Sequence, residues 1–351
     1  MISAVVVSYR SAELARRAIA ALRDDAAGSG RSFEAVAVVN SGDPEEVRVL
    51  SDAADVTIDP GRNAGYAGGL NRGIAAARGE VLFLMNPDVT VRSGAVEALR
   101  KAASEPLAMA GPATWLDPEA SVLIPPFEEP GPLDVARRRL ALDPDGASRV
   151  FRRRLRRALP AADALGRGET VAVSALSGAL MAVTRKTYDA VGPFDEGYPL
   201  YYEENDWQRR LRRLGGRLVL VGAARAIHPY GRTTGAEPRA ARWFAESEKR
   251  YFTTHFGARG SAALAALAAA PGSTWPEIRR ASALDWEGEA AGVALSPLRS
   301  FGVFAWAAVP EGTRGWRPTA GFREMLGGAA WHARAVERGT GRLLAEATLT
   351  P

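Results

Sequence analysis

Cysteine is absent from the 351-residue chain. This absence excludes a disulfide framework, a thiolate metal site and a cysteine nucleophile, and it favours an intracellular, cytoplasmic protein. Histidine is scarce, and His228, His255 and His332 lie too far apart in sequence to predict a three-histidine metal centre. No apolar run approaches the roughly 18 residues that a membrane-spanning helix needs. The first residues have no basic region before their apolar run, so we expect a strand there and not a signal peptide.

Lysine contributes little to the net charge of +5, because Lys101, Lys186 and Lys249 are the only lysines among 45 basic residues. The composition is otherwise that of a globular protein, with 47% hydrophobic and 24% charged residues, and it excludes a disordered chain. A modest basic excess is compatible with nucleic acid, an anionic membrane surface or phosphate ligands as partners, and it selects none of them.

The first 115 residues alternate short apolar runs with segments of helical spacing. The predicted strands are Ile2–Ser8, Ala35–Val39, Val56–Ile58 and Val81–Met85. Such alternation predicts a parallel sheet with helices on both faces, and ligands of these sheets bind at the carboxyl ends of the strands. The residues at those ends form a candidate site, and they are Ser8–Arg10, Asn40–Asp43 and Asn86–Asp88.

Residues 116–170 break this alternation, and they are rich first in proline and glycine and then in arginine. Ten arginines face four aspartates between Asp134 and Arg167. We predict an insertion over about 130–168, with a short basic helix at Val150–Leu159. The first interpretation of this helix is a solvated face, and the alternative is contact with an anionic membrane or with acceptor phosphates.

The chain beyond Gly257 is rich in tryptophan, with five of the eight tryptophans between Trp275 and Trp331. Its spacing predicts one amphipathic helix at about Ala320–Arg338. We expect a helical extension over 257–351 that covers the core. Homodimer formation and contact with a membrane surface are the alternatives.

Glycines and asparagines cluster over residues 63–73, at Asn63, Gly65, Gly69, Asn71 and Gly73. Glycines allow a backbone to approach a ligand, and asparagine amides both donate and accept hydrogen bonds. A glycine cluster that opens a helix suits a phosphate, whereas the alternative is a tight turn before a helix. The cluster is not a dinucleotide fingerprint, because it follows the third strand and has a different spacing.

Asn86-Pro87-Asp88 directly follows a fully apolar run. An aspartate at the carboxyl end of a strand, beside a phosphate site, is placed to hold Mg²⁺ or Mn²⁺ on a diphosphate. The alternative is a plain turn of this composition. His228 follows a later strand, and by itself it indicates a structural histidine.

Three carboxylates, Glu203, Glu204 and Asp206, lie within four residues of one another. Mutual repulsion of this kind raises a pKa and tunes a general base. The alternative is the acidic first turn of a helix, where acids favour the helix dipole. The neighbouring aromatic residues Tyr202 and Trp207 argue for partial burial and against a plain solvated face.

In order and spacing, these motifs resemble the family 2 glycosyltransferases, and within them the bacterial rhamnosyltransferase-like group. The resemblance extends from about Ile2 to Phe256. Its motifs are Val5-Val6-Val7-Ser8-Tyr9, Asn63-x-Gly65-Tyr66-x-x-Gly69-x-Asn71-x-Gly73, Asn86-Pro87-Asp88-Val89, Ser177-Gly178-Ala179, Val191-Gly192-x-Phe194-Asp195-Glu196, the Tyr201–Arg210 segment and His228-x-x-Gly231.

The resemblance implies a GT-A fold, an α/β architecture with a mixed, mostly parallel sheet. It also implies a nucleotide-sugar-binding half over 1–115 and an acceptor-binding half over 116–256, which would include the arginine-rich insertion. The helical extension over 257–351 lies outside the region of resemblance.

The resemblance assigns roles to individual residues. Glu204 takes the position of the catalytic base, and Asp88 with His228 would hold a divalent metal, Mg²⁺ or Mn²⁺. The implied donor-binding residues are Ser8, Tyr9, Arg10, Asn40, Asn63, Gly65, Gly69, Asn71, Asn86 and Asp88. The implied acceptor-binding residues are Gly178, Ala179, Glu203, Asp206 and Trp207.

The chain departs from the family pattern at three positions. Asn86 replaces the first aspartate of the D-x-D motif and removes one charged metal ligand. Asn40 replaces the aspartate that usually contacts the base. Glu204 replaces the catalytic aspartate and moves the carboxylate outward by about one methylene.

The activity implied is inverting, metal-assisted transfer of a sugar, with rhamnose or another hexose or deoxyhexose expected, from a dTDP, UDP or GDP donor. The acceptor would be a hydroxyl of a glycan, a lipid-linked glycan or a small natural product. We expect a cytoplasmic enzyme without a nucleic-acid partner, and peripheral contact with the inner face of the plasma membrane is left open. The alternative is an inactive GT-A-like module that binds nucleotide sugars or anionic polymers.

Overall fold

A computed structural model describes residues 1–229, 239–269, 274–327, 329–337 and 339–349. The elements before the insertion are β1 (Ile2–Ser8), α1 (Ala12–Gly28), β2 (Phe33–Val39), α2 (Pro44–Ala53), β3 (Val56–Ile58), α3 (Gly65–Ala76), β4 (Val81–Met85), β5 (Thr90–Val91), α4 (Ala95–Ala103) and β6 (Ala108–Trp115). Next come α5 (Pro132–Leu140), α6 (Pro144–Gly166), β7 (Thr170–Val173), β8 (Leu180–Thr184), α7 (Arg185–Val191), α8 (Glu203–Arg213) and β9 (Arg217–Ile227). The last elements are α9 (Ala240–Ala268), β10 (Arg280–Ala281), β11 (Leu284–Asp285), β12 (Ala290–Ser296), β13 (Ala305–Ala308), β14 (Gly315–Trp316), α10 (Ala320–Leu326), β15 (Trp331–Glu337) and β16 (Leu343–Leu349).

The chain divides into two compact units. Unit 1 comprises Met1–Ala113, Phe127–Glu129 and Ala164–His255, and unit 2 comprises Thr114–Pro126, Pro130–Asp163 and Phe256–Pro351. This division differs from the predicted domains, because most of the insertion belongs with the C-terminal segment. The insertion shares an apolar cluster with that segment, in which Trp275 packs against Ala141, Ala147 and Val150.

Unit 1 contains a mixed sheet with the strand order β3-β2-β1-β4-β8-β6-β9-β5, and β7 also pairs with β9. Strands β3, β2, β1 and β4 run parallel, as the sequence predicts. Strand β8 is antiparallel to β4, and β9 is antiparallel to both β5 and β7. Every residue of β1 is buried, which fits a central strand covered on both faces. The expected α/β fold of the GT-A type is confirmed.

The two faces of the sheet carry separate apolar clusters. Successive residues of β1 point to opposite faces, so Val6 packs with Ile19 of α1, whereas Val5 and Val7 belong to the cluster with Trp207 of α8. Helix α3 lies close against β1, since a Cβ at Gly73 would lie 2.3 Å from Cγ1 of Val5.

Unit 2 corrects the prediction of a helical extension. Its C-terminal segment forms a five-stranded sheet, β10-β16-β15-β12-β13, and a two-stranded sheet, β11-β14. The helix predicted at Ala320–Arg338 ends at Leu326, because Gly327 adopts a left-handed conformation with φ of 56°, and the chain continues as β15. Arg338 itself lies outside the described residues.

Three tryptophans of the extension contribute to a core within unit 2: Trp286 and Trp331 are buried in it, and Trp316 packs against it. The arginine-rich helix α6 is longer than predicted and runs over 23 residues. Helix α9 is interrupted at Gly257, where the backbone leaves helical geometry. Among the helices in the described ranges, none has the length and apolarity that a bilayer crossing requires.

Candidate active site

A cavity of about 300 Å³ opens in unit 1 at the carboxyl ends of β1, β2 and β4. Its position is the one that the strand order predicts for a ligand site. Residues from the beginning, middle and end of unit 1 line it. They are Val7, Tyr9, Ser11, Asn40, Asn63, Gly65, Tyr66, Asn86, Pro87, Asp88, Ser177, Gly178, Ala179, Pro199, Leu200, Tyr201, Glu203, Glu204, His228 and Trp243.

Asp88 and His228 meet on one wall of this cavity. Strand β5 pairs with β9 so that Thr90 faces Ile227, which brings the residues just outside the pairing together. Nε2 of His228 lies 3.3 Å from Oδ1 of Asp88, and the Asp88 residue is 5% exposed. A carboxylate suits Mg²⁺ or Mn²⁺, and such ions are commonly held by one or two protein groups together with substrate phosphates. Within the described residues no group of three acids or histidines forms a complete protein cage, so these two residues fit an ion shared with a diphosphate.

The loop before Asp88 is fixed to the neighbouring strand. The backbone N–H of Asn86 donates to the carbonyl of Ala179 at 2.9 Å. This bond joins two predicted site segments, 86–88 and 177–179, at the edge of the cavity.

A strained turn places the acidic cluster at the start of α8. Tyr201 and Tyr202, the two residues before Glu203, both have a φ of 68°. Left-handed backbone at two successive non-glycine residues is costly and persists where the surroundings impose it. Aromatic packing does so here, since both tyrosine rings contact the ring of Phe244 and Tyr202 also packs on Tyr251.

Glu203 and Glu204 are two neighbouring acids that make no ion pair within the described part of the chain. Burial and the neighbouring charge of Glu204 raise the pKa of Glu203 well above its usual range, and burial raises the pKa of Glu204 to about 7. Among the described residues, Oε2 of each carboxyl group has no hydrogen-bond partner. A Cβ at Gly178 would lie only 3.3 Å from Cγ of Glu204, so a small residue there leaves room for this side chain.

Asp206 and Trp207 do not line the cavity, which corrects their prediction as acceptor-binding residues. Asp206 lies 2.9 Å from Nε of Arg210 and 2.8 Å from Nε2 of His255. Although burial alone raises the pKa of Asp206, the His255 hydrogen bond and the Arg210 charge hold it below its usual value. Trp207 is fully buried, and its indole N–H donates to the carbonyl of Gly192 at 2.8 Å.

Asn40 presents an open acceptor at the other end of the cavity. Its Nδ2 donates to the carbonyl of Gly65 at 2.8 Å. Its buried Oδ1 has no hydrogen-bond partner among the described residues. Gly65 has a φ of 73°, and its N–H donates to Oδ1 of Asn63 at 2.9 Å. This part of the 63–73 motif therefore contributes to the lining of the cavity.

The second half of that motif has a packing role, which corrects the predicted donor contacts of Gly69 and Asn71. A Cβ at Gly69 would lie 2.7 Å from Cγ1 of Val7, so this glycine lets α3 approach β1. The amide of Asn71 donates to Glu196 and to the carbonyl of Phe194, and it accepts from the N–H of Phe194 and the hydroxyl of Tyr188. An asparagine amide has about four hydrogen-bonding sites, so little capacity remains for a ligand.

Ser8 and Arg10 also lie outside the lining, because Glu46 holds this loop from behind. The hydroxyl of Ser8 donates to Glu46, as do the backbone N–H of Arg10 at 2.9 Å and that of Ser11 at 2.8 Å. Glu46 also accepts from the hydroxyl of Ser41 and so ties together the ends of β1 and β2. Sequence reasoning missed Glu46, which resembles an ordinary acid in the first turn of α2.

Sequence reasoning also assigned no site role to Tyr66 or Trp243. The hydroxyl of Tyr66 donates to the carbonyl of Gly178 at 3.2 Å, and burial together with Glu203 raises its pKa well above the usual value. Trp243 lies on α9 together with Phe244, Tyr251 and Phe252. This concentration of aromatic residues was the feature of the sequence that could have indicated a role for Trp243. Gly231 of the predicted His228-x-x-Gly231 motif lies outside the described residues.

The fold and the cavity thus define a GT-A-type α/β unit with a ligand site at its strand ends. Residues 3–159 match the model of the family described as Glycosyl transferase family 2. Over this stretch, which is less than half of the chain, the predicted resemblance to the family 2 glycosyltransferases is confirmed.

Two relatives come from Mycobacterium tuberculosis, strains CDC 1551 / Oshkosh and ATCC 25618 / H37Rv. Both are described as N-acetylglucosaminyl-diphospho-decaprenol L-rhamnosyltransferase. Each is 28% identical over 208 residues, covering 51% of this chain, and the chain spans 60% of the length of each relative. The crystal structure of GalNAc-T7 with UDP, GalNAc and Mn²⁺ aligns with 100% of this chain and 72% of its own, at a TM-score of 0.46 and 12% identity.

Proposed function

We propose that this chain is an inverting glycosyltransferase in which Glu204 is the general base. The observation that carries the proposal is that one cavity is lined both by a candidate base and by a candidate diphosphate site. Glu204 has a pKa of about 7, and the same cavity is lined by Asp88 and His228, a site for a diphosphate with its cation. A base with a pKa near the working pH is the most effective proton acceptor.

The proposed step exchanges one bond at the anomeric carbon for another. The acceptor hydroxyl loses its proton to the Glu204 carboxylate, and its oxygen bonds to the anomeric carbon of the donor. The bond from that carbon to the nucleotide diphosphate breaks on the opposite face, so the configuration inverts. No covalent sugar–enzyme intermediate is needed.

Asp88 and His228 would hold Mg²⁺ or Mn²⁺ together with the donor diphosphate. When bound, this cation neutralises the charge that develops on the leaving diphosphate. At the other end, Asn40 would offer its open carbonyl oxygen to an N–H of the nucleobase, and Gly65 would allow the backbone to approach the donor.

The donor in this proposal is a dTDP-, UDP- or GDP-linked hexose or deoxyhexose. The relatives described as rhamnosyltransferases support rhamnose, and their N-acetylglucosaminyl-diphospho-decaprenol substrate supports a lipid-linked acceptor. Both assignments rest on relatives that match half of this chain.

A panel assay tests the proposal. The full chain is incubated with dTDP-, UDP- and GDP-sugars, lipid-linked and soluble acceptors, and Mg²⁺ or Mn²⁺, and nucleotide diphosphate release is measured. We expect release with one donor class, loss of release in Asp88→Ala, and a product of inverted anomeric configuration. Glu13→Gln, an exposed acid on α1, is the control and should turn over like the parent.

The second candidate is an inactive module that binds nucleotide sugars. It is favoured by the Glu204 substitution of the usual family aspartate. Calorimetric binding of a nucleotide sugar without turnover of any donor–acceptor pair would support this candidate and contradict the proposal.

A further inference from the structure

Glu46 is a buried acid in the first turn of α2. An acid at this position ordinarily interacts favourably with the helix dipole. The end of α2 is already capped, because the side chain of Asp43 accepts from the N–H of Glu45. Glu46 is instead only 3% exposed. Since burying a carboxylate is costly unless its charge is compensated, the groups around Glu46 must compensate it.

Neutral hydrogen-bond donors hold this carboxylate. The backbone N–H groups of Arg10 and Ser11 donate to it at 2.9 Å and 2.8 Å. The hydroxyl groups of Ser8 and Ser41 donate to it as well. Within the described ranges, no cation pairs with Glu46. Hydrogen bonds to a charged acceptor are roughly twice as strong as those between neutral groups, so Glu46 joins the loops after β1 and β2 firmly.

The two loops that Glu46 joins carry one end of the cavity. Tyr9, Ser11 and Asn40 line the cavity. Each of the three either donates to Glu46 or is next in sequence to a residue that does. The backbone N–H of Asn40 also donates to the carbonyl of Ser8 at 2.8 Å. Glu46 is not part of the lining, so it supports these three residues from outside the cavity.

The turn at Arg10 needs support of this kind. Arg10 has a φ of 55°, and left-handed backbone at a non-glycine residue persists where its surroundings impose it. The bond from the Arg10 N–H to the carboxylate of Glu46 is such a constraint. Without this acceptor the turn can relax to an ordinary φ, and the neighbouring Tyr9 would then leave its place in the cavity wall.

We infer that Glu46 is a positioning residue, which fixes the nucleobase end of the donor site and so sets its selectivity among nucleoside diphosphates. This role rests on the proposed function, which places the nucleobase at the Asn40 end of the cavity. The hydrogen bonds of Glu46 go to the loops after β1 and β2, whereas the diphosphate end is formed by Asp88 and His228. Loss of the carboxylate should therefore weaken recognition of the base and leave the chemical step nearly unchanged.

Calorimetric binding of nucleoside diphosphates to the full chain tests this role. The probes are UDP, dTDP, GDP, CDP and ADP, each with Mn²⁺. Glu46→Gln keeps the shape of the side chain, but its NH₂ group cannot accept from a backbone N–H. Glu46→Asp keeps the charge on a shorter side chain. The control is Glu45→Gln, since Glu45 is the preceding residue, is 65% exposed and pairs with Arg48. Circular dichroism and thermal unfolding check that each variant is folded.

We expect the parent to bind some of the five nucleotides more tightly than the others. Glu46→Gln should weaken the preferred nucleotide by roughly ten- to a hundredfold and the others much less, so that most of the preference is lost. Glu46→Asp should retain part of the preference, and Glu45→Gln should bind like the parent. In a turnover assay, the donor KM of Glu46→Gln should rise while kcat at saturating donor stays within about threefold of the parent.

Equal weakening of all five nucleotides by Glu46→Gln would overturn the inference, because it would indicate general damage to the fold. So would a folded Glu46→Gln with the affinities of the parent. If Glu46→Gln does not fold, a Glu46→Asp variant with unchanged selectivity would overturn the inference, and one with reduced selectivity would support it. A parent that binds none of the nucleotides would contradict the proposed function and this role together. Selective binding that depends on Glu46, without turnover of any donor, would contradict the proposed function alone.

Discussion

The acids in the first turn of α8 differ in the direction of their pKa shifts. Burial raises the pKa values of Glu203 and Glu204, and among the described residues no cation pairs with either of them. Asp206 is also buried, but it contacts Arg210 and His255, so its pKa falls. Position in sequence does not distinguish them, since all three lie within four residues. The difference shows that partners inside the fold, rather than burial, separate a structural acid from a reactive one.

The two asparagines of the donor region repeat this contrast. Asn71 uses its whole amide to join α3 to residues 194–196, whereas Asn40 uses only its amide nitrogen and leaves Oδ1 open at the cavity. A polar group that has no partner in the fold is available to a ligand.

The largest effect should come from Glu204→Gln, which keeps the shape of the side chain and removes its basicity. We expect kcat to fall by about two to four orders of magnitude while donor affinity stays nearly constant. The measurement is steady-state kinetics beside calorimetric donor binding, with Glu203→Gln and Asp206→Asn run in parallel. If Glu204→Gln turns over like the parent and Glu203→Gln is inactive, the base is assigned to the wrong member of the pair.

Asp206→Asn should cost stability, because it leaves Arg210 and His255 facing a neutral amide. We expect the free energy of unfolding to fall by about 2 to 4 kcal/mol, measured by urea denaturation. Glu13→Gln is the matched control, since Glu13 also contacts two arginines but is 54% exposed. Its loss of unfolding free energy should be clearly smaller, because solvent screens an exposed ion pair. Equal losses in the two variants would show that burial of the Asp206 network contributes nothing.

The two kinds of acid should respond oppositely to pH. A raised pKa means that the neutral Glu204 stabilises the fold at low pH, and this contribution is lost as pH rises through about 7. Glu204→Gln should therefore exceed the parent by about 1 to 3 kcal/mol of unfolding free energy at about pH 8, and by less at about pH 5. For Asp206, whose pKa is lowered, the stabilisation is present above the unfolded pKa and is lost as pH falls through the folded value. Chemical denaturation at about pH 8 and about pH 5 checks the sign for Glu204, and a further measurement at about pH 3 checks it for Asp206. A stability cost of Asp206→Asn that grows as pH falls would contradict the second sign.

The smallest effect on unfolding free energy should distinguish a glycine that is needed for close packing from one that has free space around it. A Cβ at Gly73 would lie 2.3 Å from Val5, so Gly73→Ala should lower the free energy of unfolding by about 1 to 3 kcal/mol. Gly28, the last residue of α1, has no atom within 4 Å of such a Cβ. Gly28→Ala should be neutral or stabilising by up to about 1 kcal/mol. Thermal and urea unfolding of both variants measure the difference, and a stabilising Gly73→Ala would show that α3 can move away from β1.

The sequence predicted the parallel half of the sheet because each of its strands is a short run in which apolar residues dominate. It also predicted the site segments, since strand ends determine where ligands bind. It did not separate Asn40 from Asn71 or Glu204 from Asp206, because hydrogen-bond partners such as Phe194 and His255 lie 49 or more positions away. Unit 2 was predicted wrongly, as alternating small and apolar residues near Trp331 fit a helix and a strand equally well.

The discontinuous make-up of unit 2 has a consequence for its synthesis. Leu123 and Trp306 exchange two backbone hydrogen bonds, of 2.8 Å and 2.7 Å, and Leu116 and Val122 are buried in the core that the late strands complete. At about 5 to 20 residues per second, a ribosome needs roughly 10 to 40 s to proceed from Leu123 to Trp306. During that time the late strands of unit 2 have not been synthesised, so the apolar side chains of its early segment lack the residues that cover them in the folded protein. A nascent chain of this design therefore depends on whatever shields that segment, and a chain that stops before β12 leaves it permanently without a partner.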